Sequence, residues 1–377
     1  MEILAIILIV IVVYGVQAII YRKNAFKKLK YECSFSKEEA YEGDHIELNE
    51  VLYNYKALPV PRVKTEIITS SWLDFAGENS EVNRETRFVP SFFYAKSRTK
   101  MKRNWKVVCK KRGQYTIDKV SVIAADLFGG GCGSISVNVD AKLLVLPGTV
   151  DLSGMFISSR YLQGDHAVRR QLVTDPFRIS GVREYAPTDP MKNIHWLSSA
   201  KTGKLMVKNE EFTTRQNLTI VLNMQSTPKE NGKVLNETRV ERAIRVAATL
   251  MEETLESSIP FNFMANYIEK NEDGDEAFVN SGENWGHNFV IDQFRHMAKF
   301  ELESSMKFKD YLEKFSPEMN STDIVIVTAY LDDFIYDFVR RKAAEDIKVT
   351  VYMVSPPNED IPSDVEVFIP TQTGGGN

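Results

Sequence analysis

Arg183, Glu184, Asp189 and His195 carry side chains that could do acid–base chemistry within one short stretch. Together they could form a buried polar network with Trp196 packed over it. Such a network could be catalytic, or it could lock an irregular segment onto a sheet, because buried charges persist only when they are paired. No nucleophile stands among them, which favours the locking role. The five histidines are His45, His166, His195, His287 and His296. No two have a metal-ligand spacing such as HExxH, and none accompanies a cysteine motif. The chain also lacks a GxSxG elbow, a GxGxxG turn and a Walker lysine, so no cofactor is implied. Asp332 and Asp333 stand where a helix begins, so they read as charges that complement the macrodipole rather than as an acid–base pair.

A second candidate lies in two loops. Open parallel sheets bind ligands at the carboxyl ends of their strands. Here those ends are Asn223-Met224-Gln225-Ser226-Thr227 and Thr328-Ala329-Tyr330. A hard divalent cation requires carboxylate oxygens. These loops offer amides and hydroxyls and no carboxylate, so no tight metal site is expected.

Several elements must position these residues. Ile3 to Ile20 is an uncharged apolar run. As a helix it spans about 27 Å, enough for a bilayer core of about 30 Å. Only Met1 and Glu2 precede it, so it lacks the basic leader of a cleaved signal peptide and reads as an uncleaved anchor. Arg22, Lys23, Lys27, Lys28 and Lys30 follow at once. The positive-inside rule then puts the N-terminus outside and the body in the cytoplasm of a single-pass cell-membrane protein. Three widely spaced cysteines, Cys33, Cys109 and Cys132, suit a reducing compartment. The net charge of −4 is spread over both signs, with nothing that points to nucleic acid.

Residues 1–30 are the anchor with its basic flank, and residues 31–147 read as strand. Alternating runs recur at 45–48, 63–68, 105–109, 115–117, 120–123 and 142–146, separated by turn chemistry such as Glu42-Gly43-Asp44. This pattern predicts an antiparallel β-sandwich. Gly129 to Gly133 reads as a flexible turn, because strand follows it rather than a helix. Residues 148–215 are polar and without period, which predicts a linker. From 216 to 377 strand and helix alternate. Helical faces begin after a Thr238–Glu241 capping box and recur at Val290/Phe294/Met297, Phe308/Tyr311/Leu312/Phe315 and Leu331 to Val339. Buried strands are expected at 218–222, 261–265, 323–328 and 349–354, with a last short one at 365–369. These elements predict a doubly wound α/β sheet.

The stretch GVREYAPTDPMKNIHWLSSAKTGKLMVKNEE closely resembles the signature of the DUF58 family of bacterial and archaeal membrane proteins. Its carriers are Gly181, Arg183, Glu184, Tyr185, Asp189, His195 and Trp196. Arg112-Gly113-Gln114-Tyr115 and Asp126-Leu127-Phe128-Gly129 resemble a second family stretch, with Leu127 in place of its proline. Thr188 stands where the family prefers glycine. The resemblance implies that the α/β part is similar to a von Willebrand factor type A domain. It also implies a partner, a MoxR-type AAA+ ATPase, with which members are thought to assemble or mature other proteins. The metal motif D-x-S-x-S of such domains maps onto Asn223, Gln225 and Thr227, and its later aspartate maps onto Ala329. With both acids gone, metal-dependent adhesion is not implied.

Two functions follow as expectations. One is a non-enzymatic, membrane-anchored scaffold that docks the ATPase and holds an unknown client. The alternative is a cell-envelope hydrolase or transferase using the 181–210 polar cluster.

Overall fold

The structure is a computed structural model that describes residues 2–75, 80–126, 131–152, 172–186, 191, 194–214, 217–270, 276–320, 322–356, 361–362 and 364–370. The chain forms two compact units, Met1–Gly148 with Phe294–Phe300, and Thr149–Gln293 with Glu301–Asn377.

The first unit opens with helix α1, Glu2–Asn24. Ile3 and the run from Ile6 to Ile20 expose large apolar side chains, as the lipid-facing reading of this segment requires. The helix extends past the apolar run because its last turn is an element of the β core. Tyr21 is 4 % exposed and Ala25 is fully buried there. Lys56 Nζ donates to Asn24 O at 2.7 Å and also to Ala25 O. That contact satisfies carbonyls that a helix end leaves open and places a cation at the negative end of the dipole.

Ten strands follow. One sheet has the order β1-β3-β8-β5, from Leu29–Phe35, His45–Asn54, Thr99–Cys109 and Leu73–Phe75. The other has the order β2-β10-β9-β4-β7-β6, from Glu39–Tyr41, Gly131–Leu146, Gly113–Ala125, Val60–Ser70, Thr86–Ala95 and Glu81–Asn83. Pairing is antiparallel except between β2 and β10. Inward residues of both sheets, such as Leu48 and Val107 from one and Ile67 and Ile117 from the other, share one core. Two strands expected at 115–117 and 120–123 are one, β9. The chain crosses Asp118-Lys119 without turning, because both side chains point to solvent. Of the turn expected at Gly129–Gly133, Gly131 already pairs with Ala125 in the sheet, while 129–130 lie outside the described residues. In the Arg-Gly-Gln-Tyr stretch, Tyr115 Oη donates to Lys111 O at 2.7 Å and pins the turn that Gly113 makes at φ +151°.

The core holds one polar cluster that the sequence pattern does not announce. Glu50 has no exposure, yet its carboxyl oxygens accept from Tyr31 Oη (2.7 Å), Thr65 Oγ1 (2.9 Å), Trp105 Nε1 (2.7 Å) and Ser91 Oγ. Burial, and then the neighbouring Glu50, push the Tyr31 hydroxyl up and the Cys33 thiol up to about 12. Burial, and then Asp44, push Cys109 up to about 11. Both cysteines are therefore unreactive buried thiols.

In the second unit the described part of the expected linker carries regular elements. β11 (Leu172–Glu184) pairs antiparallel with β12 (Met206–Thr214), and helix α2 (Trp196–Thr202) lies between them. The polar side chains of this stretch hid its strand period. The main sheet has the order β16-β15-β13-β18-β19-β20, from Glu276–Asn280, Phe261–Lys270, Leu218–Leu222, Asp323–Thr328, Val349–Met353 and Val367–Phe368. All neighbours are parallel except the edge strand β16. Two short strands, β14 (Gly232–Lys233) and β17 (Glu303–Ser304), pair antiparallel with each other. Every residue of β13 and β19 is buried, which explains why they read as unbroken apolar runs. The helices are α3 (Glu237–Glu256), α4 (His287–Lys299, of which the residues up to Gln293 belong to this unit), α5 (Phe308–Phe315) and α6 (Asp333–Ala344). The cap of α3 is Asn236, whose Oδ1 accepts from Arg239 N, and not Thr238; asparagine at this position starts the helix two residues earlier. Asp332 caps α6 by accepting from Ile335 N at 2.9 Å, a helix-start role for this acid pair.

Candidate functional site

Counted along the chain, the parallel strands run in the order 2-1-3-4-5, so the winding reverses between β13 and β18. At such a switch point the strand ends part and leave a crevice. The loops after Leu222 and Val327 meet there, and Asn223, Gln225, Ser226 and Thr328 are at most 1 % exposed.

These side chains bind one another. Asn223 Nδ2 donates to Thr328 Oγ1 at 3.0 Å, and Asn223 Oδ1 accepts from Gln225 N at 2.9 Å. Gln225 Oε1 accepts from Phe308 N (2.7 Å) and Tyr330 Oη (3.2 Å), and its Nε2 donates to Glu230 O at 2.5 Å. Thr328 Oγ1 donates to Tyr330 O at 2.9 Å. Asn266 Oδ1 accepts from Met224 N at 2.7 Å. Burial pushes the Tyr330 hydroxyl up, against the pull of its contact with Asn223.

Sequence reasoning passed over Glu230. It sits in a run, Lys229-Glu230-Asn231-Gly232, with the composition of a solvated turn. It is instead 3 % exposed. Its carboxyl oxygens accept from Ser226 N (2.6 Å), Leu235 N (3.1 Å) and Ser226 Oγ. Ser226 Oγ in turn accepts from Asn236 N at 3.0 Å, just before α3. This carboxyl group is thus committed to the loop's own groups.

The donor set does not fit a hard cation. Asn223 and Gln225 supply amides already engaged with protein groups, and Ala329, 1 % exposed, has no ligand atom. Thr227 lies at the rim, half-buried. A divalent ion here would have to displace several internal hydrogen bonds and gain neutral ligands in return.

The signature residues are arranged differently from the expected buried network. Arg183 and Glu184 are exposed at the end of β11. Arg183 Nη1 donates to Glu184 O at 3.3 Å, and Glu184 pairs with exposed Lys204 at 2.6 Å. Asp189 and Thr188 lie outside the described residues. Gly181 pairs with Asn209 in the hairpin ladder. Tyr185 N donates to Leu205 O at 2.9 Å.

His195 has a local role. Its Nδ1 accepts from Ser198 N at 3.1 Å and caps α2, so the ring proton sits on Nε2. Its backbone N donates to Met206 O at 2.8 Å, and Ser199 Oγ accepts from Met206 N at 2.9 Å. Gly203 closes the helix in the left-handed region at φ +69°. These contacts hold a helix that buries none of its own residues. Trp196 and Leu197 are each 67 % exposed, and Met191 is 71 % exposed.

The class this defines is a mixed α/β protein of two units, with one N-terminal helix long and apolar enough to cross a membrane. The chain belongs to the DUF58 family, described as a protein of unknown function, whose profile matches residues 181–372. No curated protein matches the chain. Solved structures with partial likeness include a non-cellulosomal cohesin from the archaeon Archaeoglobus fulgidus, 13 % identical over 36 % of this chain and 99 % of that one, with a TM-score of 0.22. A cohesin–dockerin complex from Clostridium thermocellum is 16 % identical over 31 % and 99 %, at 0.21. The sporulation control protein Spo0M from Bacillus subtilis is 9 % identical over 31 % and 50 %, at 0.19. At these scores the likenesses carry no functional argument.

Proposed function

We propose that this protein is a membrane-anchored, non-enzymatic scaffold that works with a MoxR-type AAA+ ATPase in assembling or maturing other proteins. In this reading the first unit is a β-sandwich, and the second is a von Willebrand A-like domain whose metal loop has become a structural lock. The N-terminus lies outside and both units lie in the cytoplasm, on the strength of the basic cluster from Arg22 to Lys30.

The observation that carries the proposal is the apolar surface of the signature segment. Met191, Trp196, Leu197 and Leu205 expose 47–71 % of their areas around a helix that contributes nothing to a core. His195, Ser199 and Gly203 nonetheless hold that helix in place. Exposed aromatic and aliphatic groups on a held element are the composition of an interaction hot spot. Purification of the tagged full chain from its native membranes, with identification of what accompanies it, tests this. The wild type is expected to retain an AAA+ ATPase, and Trp196→Ala with Leu197→Ala to lose it while keeping the same melting temperature. Absence of any such ATPase from the wild type, or equal recovery with the double variant, refutes the reading.

A further inference from the structure

The end of the first unit beside the helix exit carries a surface that the scaffold role does not use. Three segments distant in sequence are joined there by hydrogen bonds. Lys56 Nζ holds the last carbonyls of α1, at Asn24 and Ala25. Lys56 O in turn accepts from Arg98 N at 3.1 Å, and Lys28 O accepts from Tyr55 N at 3.1 Å. The turn after β3, the turn after β7 and the residues following α1 thus form one cap on the sheets. Lys27, Lys28, Lys96, Arg98 and Lys100 are all exposed on it. Tyr55 is 58 % exposed and stacks on Tyr53 at 5.6 Å, under Lys100 Nζ at 4.8 Å from the Tyr53 ring.

Opposing charge at this end is slight. No Asp or Glu occurs between Glu85 and Asp118. Asp126 is 3 % exposed, and Glu32 is paired with Lys30 at 2.5 Å. Lys28 and Arg98 both hold φ +53°, a backbone conformation that favours glycine, yet both positions carry a cation.

Distance decides what this surface meets. Ile20 is the last exposed apolar residue of α1, and Ala25 is already in the β core. Five residues of helix rise about 8 Å. If α1 spans the bilayer, the phosphate layer is therefore no farther than about one Debye length from the cap. No slack linker separates them.

From this we infer that the cap formed by Lys27, Lys28, Lys96, Arg98, Lys100 and Tyr55 is a binding surface for the anionic phospholipid headgroups around the helix exit. The contact fixes the tilt of the first unit on the bilayer, so the anchor acts as one rigid mount. The inference rests on α1 being membrane-spanning.

The full chain in nanodiscs tests it, comparing pure phosphatidylcholine with equal parts of phosphatidylcholine and phosphatidylglycerol. Lysine footprinting with an amine reagent reads the surface. Lys96 and Lys100 are expected to label about five-fold more slowly in the anionic disc, an effect lost in high salt. Lys110 and Lys111 follow the other end of β8, about 33 Å away by strand rise, and should label equally in both discs. Hydrogen exchange of the α1 amides is read in the same samples. Protected α1 with equal labelling of Lys96 and Lys100 in both lipids overturns the surface alone. Freely exchanging α1 overturns the spanning helix, and the surface with it.

Discussion

Replacing Glu50 by alanine should cost the first unit about 4 kcal/mol, a sizeable part of the 5–15 kcal/mol that holds an ordinary domain. The figure follows from the four donors that converge on its carboxyl, those of Tyr31, Thr65, Ser91 and Trp105. A buried donor left without an acceptor costs about 1–3 kcal/mol. Trp105 Nε1 already lies 3.3 Å from Ser91 Oγ, so those two can recover one bond between them. Tyr31 and Thr65 both donate to the same carboxyl oxygen, Oε1, and lose it together. Two to three orphaned donors, with a small cavity term, give about 3–5 kcal/mol. Glu50→Gln keeps one acceptor oxygen and turns an amide NH2 toward the other donors, so its cost should be near half. Hydrogen exchange of the full chain separates the units. Slowly exchanging amides of β3 and β9 should exchange about a thousand-fold faster in Glu50→Ala, by the factor of ten per 1.36 kcal/mol. Amides of β13 and β18 supply the internal reference. A change below ten-fold in β3 and β9 would show that the donors re-pair among themselves, and the reasoning would fail.

Three further outcomes are expected. Glu253 on α3 is half-buried, and burial first, then Glu256 and Asp151, push its carboxyl up to about 7 from its ordinary 4.5. The folded chain therefore keeps a proton that the unfolded chain has released, and stability falls as pH rises from about 4.5 to about 7, then levels. Discounted for exposure, the loss is about 1–2 kcal/mol, so Glu253→Gln should raise the melting temperature at about pH 8 and leave it nearly unchanged at about pH 4. Asn223→Asp places an acid in the crevice but removes the donor to Thr328 and buries a charge, so it should destabilise the second unit by about 2–4 kcal/mol. Added Mg²⁺ should not restore the melting temperature, and a rise with Mg²⁺ would show that the donor set does fit a cation. Gly203→Ala should loosen α2 by about 1 kcal/mol, read as faster exchange of the Ser199 to Gly203 amides, because φ +69° strains any side chain.

The sequence alone determined the features that depend on local period and composition. An uncharged run from Ile3 to Ile20 is a helix whatever surrounds it, and β13, β18 and β19 are apolar enough to be central strands in any packing. The loops that meet at the crevice were legible too, since strand ends and loop residues follow from the same pattern. The partners of those loop residues were not. Glu230 looks like a surface charge until the fold brings Ser226 N and Leu235 N onto it. Glu50 falls on the inward phase of Ile46, Leu48 and Leu52, but the donors that satisfy it there come from distant strands, Thr65 and Ser91 among them. The signature cluster failed in the opposite direction. Arg183, Glu184 and Trp196 have the composition of a buried network, yet all three are exposed, because burial is set by what packs over a segment and not by its composition. Only the tertiary structure decided that the last turn of α1 belongs to the β core. Local sequence marks where the apolar run stops; it takes Lys56 and Arg98, brought from two distant turns, to hold that helix to the unit behind it.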